Sequence, residues 1–322
     1  MSAVDEKEGK FISRPVTSSD LLQWAIINKA TEKEDAPARD EPMVPREPID
    51  PKWVDIILGQ PDSVRMKECV EIIKDASKTL DEKLQAFDEL EMLIESLDNA
   101  NDLRKLGLWK PIFEVLKSDP EAELRAFAAW VMGTAVQNNP GAQKDFLAVE
   151  GLPILVHALG NDSDSEVRAK CMTCLSGLVR HNPAAYQLLG ANSTSNLGLE
   201  PVLQLIKSTN GNWSKAQKRA VFFLDGLVSG TSGEEGDVIA KAVEDAKKGN
   251  WAADIAAMLE ADQNIDADLL EKSISLVIHL GEKNVVADDF KLRLKGVLAS
   301  ATSKYAADLD QDLVNAAKTM FQ

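Results

Sequence analysis

The stretch ELRAFAAWVMGTAVQNNPGAQ, residues 123–143, decides the fold of this 322-residue chain because the chain repeats it. It aligns without gaps with EVRAKCMTCLSGLVRHNPAAY, residues 166–186, at a shift of 43 residues. Less regular copies flank the pair: AFDELEMLIESLDNAND, residues 86–102, KAQKRAVFFLDGLVSG, residues 215–230, and LEKSISLVIHLGE, residues 270–282. Repeat periods of about 40–47 residues are typical of armadillo and HEAT proteins.

The repeats predict an all-α fold, because apolar residues recur at helical spacing and no convincing strand pattern interrupts them. We expect an armadillo- or HEAT-like right-handed superhelical solenoid, built as one helical hairpin per layer with a long concave surface. The polar DNAN stretch, residues 98–101, is predicted to be a turn between two helices. Pro140 and Pro183 are predicted to terminate helices, since proline cannot continue one.

Within the repeated helices, a core stripe and a surface stripe separate. The surface stripe carries Phe127 and Trp130 in one repeat, Lys170 and Thr173 in the next, and Arg219 and Phe222 in a third. An aromatic pair beside a basic pair is a candidate recognition surface. The predicted core positions are Leu124, Ala128, Val131, Met132 and Ala135, matched by Val167, Cys171, Cys174, Leu175 and Leu178, together with Phe87, Leu90 and Ile94.

The charge balance argues for a protein partner. The chain has 36 Lys and Arg against 52 Asp and Glu, a formal net charge of −16. Such an acidic chain is a poor binder of nucleic acid or anionic membranes, which both attract a basic face. Residues 165–229 are an exception, because basic residues outnumber acidic ones there. We expect this local positive charge to orient an acidic partner, although charges scattered over solvated helix exteriors are the alternative.

Cysteine content and hydropathy indicate a cytosolic or nuclear location, and we expect the cytoplasm. Three cysteines, Cys69, Cys171 and Cys174, give no disulfide framework and fit a reducing compartment. The first twenty residues lack the pattern of a signal peptide, and no apolar run reaches the ~18 residues of a membrane span. We also expect a monomer.

No set of catalytic residues can be assembled from the sequence. His157, His181 and His279 stand apart from any nucleophile or carboxylate motif, and each is expected to be a surface or satisfied core residue. Cys171 and Cys174 form a CxxC, but no second ligand pair completes a zinc site. Phosphate-binding glycine loops are also missing. The sequence therefore predicts a protein that is not an enzyme and uses no metal or cofactor.

The N-terminal residues 1–61 are predicted to form a flexible region, separate from a helical repeat domain at 62–322. Five prolines within residues 35–51 rule out continuous helix and indicate an extended linker. A short apolar helix is predicted over residues 19–30. This helix either folds back onto the body or competes for an apolar groove on a partner. Its apolar residues are Leu21, Leu22, Trp24, Ile26 and Ile27.

Four stretches carry a family likeness: LLQWAI at 21–26, AFDELEMLIESLDNANDL at 86–103, LRAFAAWVMGTAVQNNP at 124–140 and VRAKCMTCLSGLVRHNP at 167–183. In these stretches the chain resembles the cytosolic armadillo-type nucleotide exchange factors of heat-shock protein 70 (Hsp70) chaperones. The likeness spans about residues 19 to 230 and thins to helical pattern downstream.

The resemblance implies a protein whose concave face binds around lobe II of the chaperone ATPase domain. This contact opens the nucleotide cleft, speeds ADP release and thereby lets client protein go. It also implies that the N-terminal segment acts as a release element at the substrate-binding domain. The alternative is a generic armadillo scaffold that binds an extended peptide.

Two contact positions of the family fall on this chain, namely Ala100 of DNAND and Arg219 of KAQKRA. At the predicted turn, a small residue such as Ala100 would let the partner approach closely. Phe127 and Trp130 join the candidate site from the surface stripe. Their neighbours Asp98, Asn99, Asn101, Lys170 and Lys215 complete the predicted partner-binding set.

Overall fold

A computed structural model describes residues 59–191, 198–208, 211–229, 236–261, 265–305 and 307–321. Every regular element in these ranges is helical, which confirms the predicted all-α class. The predicted N-terminal helix and Pro-rich linker, with Leu21, Leu22, Trp24, Ile26 and Ile27, lie outside the described residues. The helices are α1 (Asp62–Lys74), α2 (Leu80–Ile94), α3 (Leu97–Asp102), α4 (Trp109–Ser118), α5 (Ala122–Val136), α6 (Pro140–Ala148), α7 (Gly151–Asn161), α8 (Ser165–Val179), α9 (Pro183–Ala191), α10 (Glu200–Lys207), α11 (Ser214–Val228), α12 (Gly236–Gly249), α13 (Trp251–Ala261), α14 (Ala267–Glu282), α15 (Asp288–Lys304) and α16 (Gln311–Met320).

Each layer of the solenoid contains three helices rather than the predicted hairpin. A long helix such as α5 is followed by a short one, α6, and a third, α7, and the series α8, α9 and α10 repeats this order. The extra helix arises at the Asn-Pro pair. Asn139 caps α6 by accepting a hydrogen bond from the Ala142 amide, and Pro140 is its first residue. Proline suits that position, since the amide it lacks would be unpaired there and its φ angle is already helical.

The prediction that Pro140 and Pro183 terminate helices is therefore wrong, because each proline begins one. The long helices end earlier, at Val136 and Val179. Soon after each end, a residue takes the left-handed backbone region, with φ of 51° at Asn138 and 61° at His181. These two residues align at the 43-residue shift, so the same kink recurs in both layers.

The DNAN stretch is also not a turn. Helix α2 ends at Ile94, the break falls at Glu95 and Ser96, and residues 97–102 form the short helix α3. Ala100 is 1% exposed and belongs to the core. The polar residues of DNAND thus surround one buried alanine in a helix that packs between layers. Asp and Asn occur both in turns and at the ends of helices, so the DNAND pattern is compatible with a short helix as well as with a turn.

The first helices of successive layers, each 15 or 16 residues long, pack side by side in a row of long helices: α2, α5, α8, α11 and α14. Every core position predicted from the repeats is buried in this row. Helices α5 and α8 approach closely at a glycine, since a Cβ on Gly133 would lie 3.4 Å from the Cα of Cys174. We call the exposed side of α5, α8 and α11, defined by the surface stripe, the long-helix face.

Two matched arginines lie at the boundary between the layer of α5 to α7 and the layer of α8 to α10. Arg125 on α5 forms a two-pronged ion pair with Asp162, whose carboxylate oxygens lie 2.7 and 2.9 Å from the guanidinium nitrogens. Its counterpart Arg168 on α8 is buried and donates to the carbonyl oxygens of Asp162 and Gly160. The guanidinium of Arg168 also lies 3.9 Å from the ring centroid of Trp213. The planar group thus satisfies backbone carbonyls and packs on an aromatic face at once.

We expect Arg168→Ala to lower the free energy of unfolding by about 2 kcal/mol, because it leaves two partly buried carbonyl groups without their charged hydrogen-bond donor. Arg168→Lys should recover little, since an ammonium cannot reproduce the planar contacts. Urea unfolding followed by circular dichroism measures both effects. The matched control is Lys110→Ala on the exposed surface of α4, which should change stability by less than about 0.5 kcal/mol. Equal losses in Arg168→Ala and the control would contradict this stabilising role.

Candidate partner-binding face

The surface stripe predicted from the repeats is exposed on the long-helix face. Trp130 is 38% exposed and Phe222 is 47% exposed, both unusually high for large apolar side chains. Phe127, Lys170 and Arg219 are partly exposed beside them. The predicted position of this stripe on the surface is confirmed, and its contact with a partner stays a prediction.

Aromatic rings form a short ladder at the α2 end of this face. Phe127 stacks between the buried Phe87, at 6.0 Å between ring centroids, and Trp130, at 5.5 Å. The ammonium of Lys170 lies 3.4 Å from the Trp130 ring centroid, a cation–π contact between neighbouring layers. Burial lowers the pKa of Lys170 from its ordinary value, because the charged form loses hydration there. The ladder holds an aromatic and a cationic group side by side at the surface.

A cavity of about 300 Å³ opens further along the face, between α5, α8 and α11. The absence of side chains at Gly133 and Gly177 makes room for it. Arg180, Arg219 and Phe222 contribute to its walls, and the Arg180 guanidinium lies 5.9 Å from the Phe222 ring centroid. The cavity thus brings the predicted Arg219 together with Arg180 and Phe222. Its lining combines polar and cationic groups with one aromatic ring.

Some basic residues of the 165–229 segment are neutralised by a carboxylate, but three around the long-helix face are not. Lys215 pairs with Glu166 at 3.0 Å, and Lys207 pairs with Asp254 at 3.2 Å. Within the described part of the chain, Lys170, Arg180 and Arg219 form no ion pair; we call these three the cationic cluster. In a chain of net charge −16, uncompensated cations at one place favour docking of an acidic surface.

The positive charge predicted for residues 165–229 is therefore available to a partner mainly at the cationic cluster. Lys215, predicted to contact the partner, lies next to the cluster with its charge already paired to Glu166. Arg180 and Phe222 were left out of the predicted contact set. Phe222 could have been found, since it matches Trp130 and Thr173 in the surface stripe. Arg180 follows the end of α8, where helical spacing gives no guidance.

The DNAND residues lie elsewhere, on α3, which packs against α1, α2, α5 and α6. Asn99 holds α3 in place, since its side-chain amide donates to Asp62 and to the Leu93 carbonyl. Asn101 is partly buried, and only Asp98 is exposed. Ala100 is buried, so its side chain offers no surface to a partner, and a bulky replacement would first disturb core packing. The structure does not place these residues in one cluster with Arg219 on α11.

His279 does not stand alone as the sequence suggested. Its Nδ1 atom lies 2.7 Å from a carboxylate oxygen of Asp225, which links α14 to α11. The Ser275 hydroxyl donates to the other oxygen of Asp225 at 2.9 Å. Because the carboxylate lies between the serine and the histidine, this order does not activate the hydroxyl as a catalytic nucleophile would require. The group instead ties the fourth and fifth long helices together.

The cysteine pair of α8 belongs to the core. Cys171 and Cys174 are fully buried free thiols, and burial raises the pKa of Cys171 above its ordinary value. Across the described residues, no three side chains of the metal-binding types come together. None of the helices in the described ranges combines the length and apolar character that crossing a bilayer requires.

Comparison with known families places this chain. Residues 19–103 match the family described as Nucleotide exchange factor Fes1, and residues 99–279 match the SIL1/FES1/HPBP1 C-terminal domain. The chain belongs to the Fes1 family. The family match ends within α14, so it extends beyond residue 230, where the recognisable motifs end. It includes the long-helix face and the cationic cluster.

Curated Fes1 relatives support the assignment. The chain is 37% identical over 213 residues to the Hsp70 nucleotide exchange factor FES1 of Kluyveromyces lactis, covering 65% of this chain and 69% of that protein. It is 32% identical over 283 residues to the protein of the same name in Candida glabrata, covering 85% and 89%. The Schizosaccharomyces pombe relative is 33% identical over 239 residues, covering 74% and 79%.

Solved structures confirm the armadillo fold. An engineered protein matches with a TM-score of 0.60 at 16% sequence identity, over 80% of this chain and 98% of that one. A designed armadillo repeat protein, solved with the peptide (KR)4, matches with a TM-score of 0.54 at 16% identity, over 80% and 99%. At such low identity the likeness shows the fold alone.

The His279–Asp225 pair makes the stability of the long-helix row depend on pH. The hydrogen bond with Asp225 raises the pKa of His279 above its ordinary value of 6.5. The stabilisation is therefore present below pH of about 6.5 and is lost as the pH rises through the raised pKa of the folded state. We expect His279→Gln to lower the free energy of unfolding more at pH 6 than at pH 9, by about 1 kcal/mol or less. Urea unfolding at the two pH values measures this, and the exposed His157→Gln is the control. The same loss at both pH values would contradict the pairing.

Proposed function

We propose that this chain is a nucleotide exchange factor that binds the ATPase domain of an Hsp70 chaperone and promotes ADP release, and thereby client release. The family match supplies the activity, since the curated relatives carry this function in their names. The observation that carries the choice of surface is the cationic cluster, left without acidic partners beside the exposed Trp130 and Phe222. Interfaces commonly centre on aromatic and arginine side chains.

The proposed contact is with lobe II of the ATPase domain. Acidic side chains on that lobe would approach Arg180 and Arg219, while an apolar side chain would pack on Phe222 or Trp130. Such charge complementarity accelerates encounter and sets orientation more than it adds affinity. The row of long helices provides a rigid support, because each helix packs on its neighbours through a buried core.

Promotion of ADP release then follows from differential binding. A factor shifts the chaperone towards an open nucleotide cleft only by as much as it binds that state more tightly than the closed one. By linkage, bound ADP weakens binding of the factor by the same ratio. No bond is made or broken in this step, so we propose that the chain works without enzymatic activity and without a cofactor.

We further propose that the chain acts as a cytoplasmic monomer. All three cysteines are free and buried, which fits a reducing compartment. A single copy suffices for the proposed contact, because the cationic cluster lies within the long-helix row of one chain.

The N-terminal segment is proposed to release clients by competing at the substrate-binding domain. Support comes from the family match, which begins at residue 19 and so includes Leu21, Leu22 and Trp24. Apolar side chains on a tether can occupy a client-binding groove at high effective concentration once the factor is docked.

The alternative function, a scaffold for an extended peptide, has weaker support. Such scaffolds would present a repeated row of tryptophan and asparagine side chains. On the long-helix face of the described chain, Trp130 is the single exposed tryptophan.

Charge reversal in the cationic cluster tests the proposed surface. Arg180→Glu or Arg219→Glu should weaken binding to the ATPase domain about tenfold or more, because each turns an attraction into a repulsion. Stopped-flow release of a fluorescent ADP from Hsp70, at rising concentrations of the factor, measures the effect. Raising the salt concentration should narrow the gap between wild type and variants.

The matched control is Lys110→Glu, which changes the net charge equally on the exposed surface of α4. It should leave ADP release near the wild-type rate. If the cluster variants fold and still match this control, the proposed surface is wrong. If the wild-type protein itself does not accelerate ADP release, the proposed function is wrong.

The release segment makes a separable prediction. Replacing Leu21, Leu22 and Trp24 with serine should leave ADP release unchanged, because the proposed docking surface is intact. Displacement of a labelled client peptide from the chaperone should slow at least about threefold, since the competing apolar contacts are lost. Fluorescence anisotropy of the labelled peptide, measured with ADP release in the same samples, distinguishes the two effects. Unchanged displacement would remove the segment from the mechanism.

A further inference from the structure

A second surface lies at the C-terminal end of the solenoid, on α15 and α16. A groove of about 280 Å³ opens between these helices, and its walls are mostly apolar. It lies beyond residue 279, where the family match ends, and it is separate from the long-helix face. Its apolar walls include Leu298, Ala299, Val314, Ala317 and Phe321.

The side of α15 next to the groove carries a highly exposed apolar side chain, whereas large apolar side chains are mostly buried. Leu292 is 77% exposed, the highest value among the large apolar residues described. It lies one and two helical turns from Lys295 and Ala299, which line the groove. The exposed leucine therefore extends the apolar surface of the groove along the helix.

Gly296 adds an independent observation on the same helix. A Cβ built on this glycine would meet no atom within 4 Å, so packing within the chain does not require it. Glycine in the interior of an exposed helix weakens the helix relative to alanine. A glycine also allows the backbone of another molecule to approach closely.

Charge indicates what the groove accepts. Lys295 and Lys318 line it, and no carboxylate does. Within the described residues, neither lysine forms an ion pair. Two unneutralised lysines in a chain of net charge −16 attract a partner that brings carboxylates. Pairing of this groove with itself in a second copy is disfavoured, because both copies would bring lysines to the contact.

We propose that the α15–α16 groove binds a short acidic segment of a partner protein, with one or two apolar side chains among its carboxylates. The apolar side chains occupy the groove between Leu298 and Val314, and the carboxylates lie at Lys295 and Lys318. A volume near 300 Å³ is at the small end of ligand sites, which suits a few side chains rather than a large ligand. The proposal does not depend on the exchange activity.

The test uses the full-length chain and two fluorescein-labelled dodecapeptides with the same leucine and phenylalanine residues. One carries glutamate at the remaining positions, and the other carries lysine. Fluorescence anisotropy should show the acidic peptide binding at least tenfold more tightly, with an affinity that falls as salt rises. Equal binding of the two peptides, or binding of neither, would overturn the proposal.

Variants place the binding in the groove. Lys295→Glu combined with Lys318→Glu should weaken binding of the acidic peptide at least tenfold, whereas two reversals on other helices, Lys110→Glu and Lys144→Glu, should not. Ala299→Trp should block the groove, and Ser300→Trp, at an exposed position that does not line it, is the matched control. Circular dichroism establishes that each variant is folded.

NMR of the wild-type protein gives a readout that needs no variant. Addition of the acidic peptide should shift backbone amide resonances of α15 and α16 and leave those of α5 and α8 in place. Shifts confined to the long-helix face would assign the peptide to the cationic cluster and overturn the proposal. Analytical ultracentrifugation tests whether the groove is instead a contact between two copies of the chain. A dimer that Ala299→Trp dissociates would overturn the proposal as well.

Discussion

The structure depends on one constraint: each layer can bury its apolar face only against the layers beside it. The long helices meet this constraint in a row, and the contact between α5 and α8 shows how closely they must fit. Gly133 faces the backbone of Cys174, so the two helices approach with no side chain between them at that point. Such a contact fixes the rotation of each helix about its axis. The rotation determines which residues are buried and which reach the surface.

The surface chemistry follows from that rotation. Once Cys171 and Cys174 face the core, Lys170 must emerge beside Trp130, and the same register brings Arg219 to the surface of α11. The arginines that lie at the layer boundary have a different role, since Arg125 and Arg168 are occupied with carboxylate and carbonyl groups. The arginines thus divide into those occupied at the layer boundary and those that no carboxylate neutralises within the described residues, which are the ones proposed to contact a partner. Only the second kind can provide specificity in binding.

Several residues show where reasoning from sequence succeeded and failed. The buried positions from Leu124 to Ala135 and the exposed Trp130 were predicted correctly, because a 3.6-residue period assigns the two sides of a long helix directly. Short helices gave no such signal. Pro140 was predicted to end a helix and instead begins one, and Ala100 was placed in a turn although it is buried in α3. A few residues complete too few turns to show periodicity, so caps and tertiary contacts decide such elements.

The sequence by itself determined the all-α repeat architecture, the core of the long helices and the family to which the chain belongs, because repeated local patterns carry that information. The tertiary structure alone decided which charges remain unpaired. Arg180 and Arg219 lie 39 residues apart in sequence, yet they line one cavity, and Asp225 meets His279 across 54 residues. Whether a charge is neutralised depends on which side chain a neighbouring layer places within a few ångströms. That distance is a property of packing between layers, and no local pattern contains it.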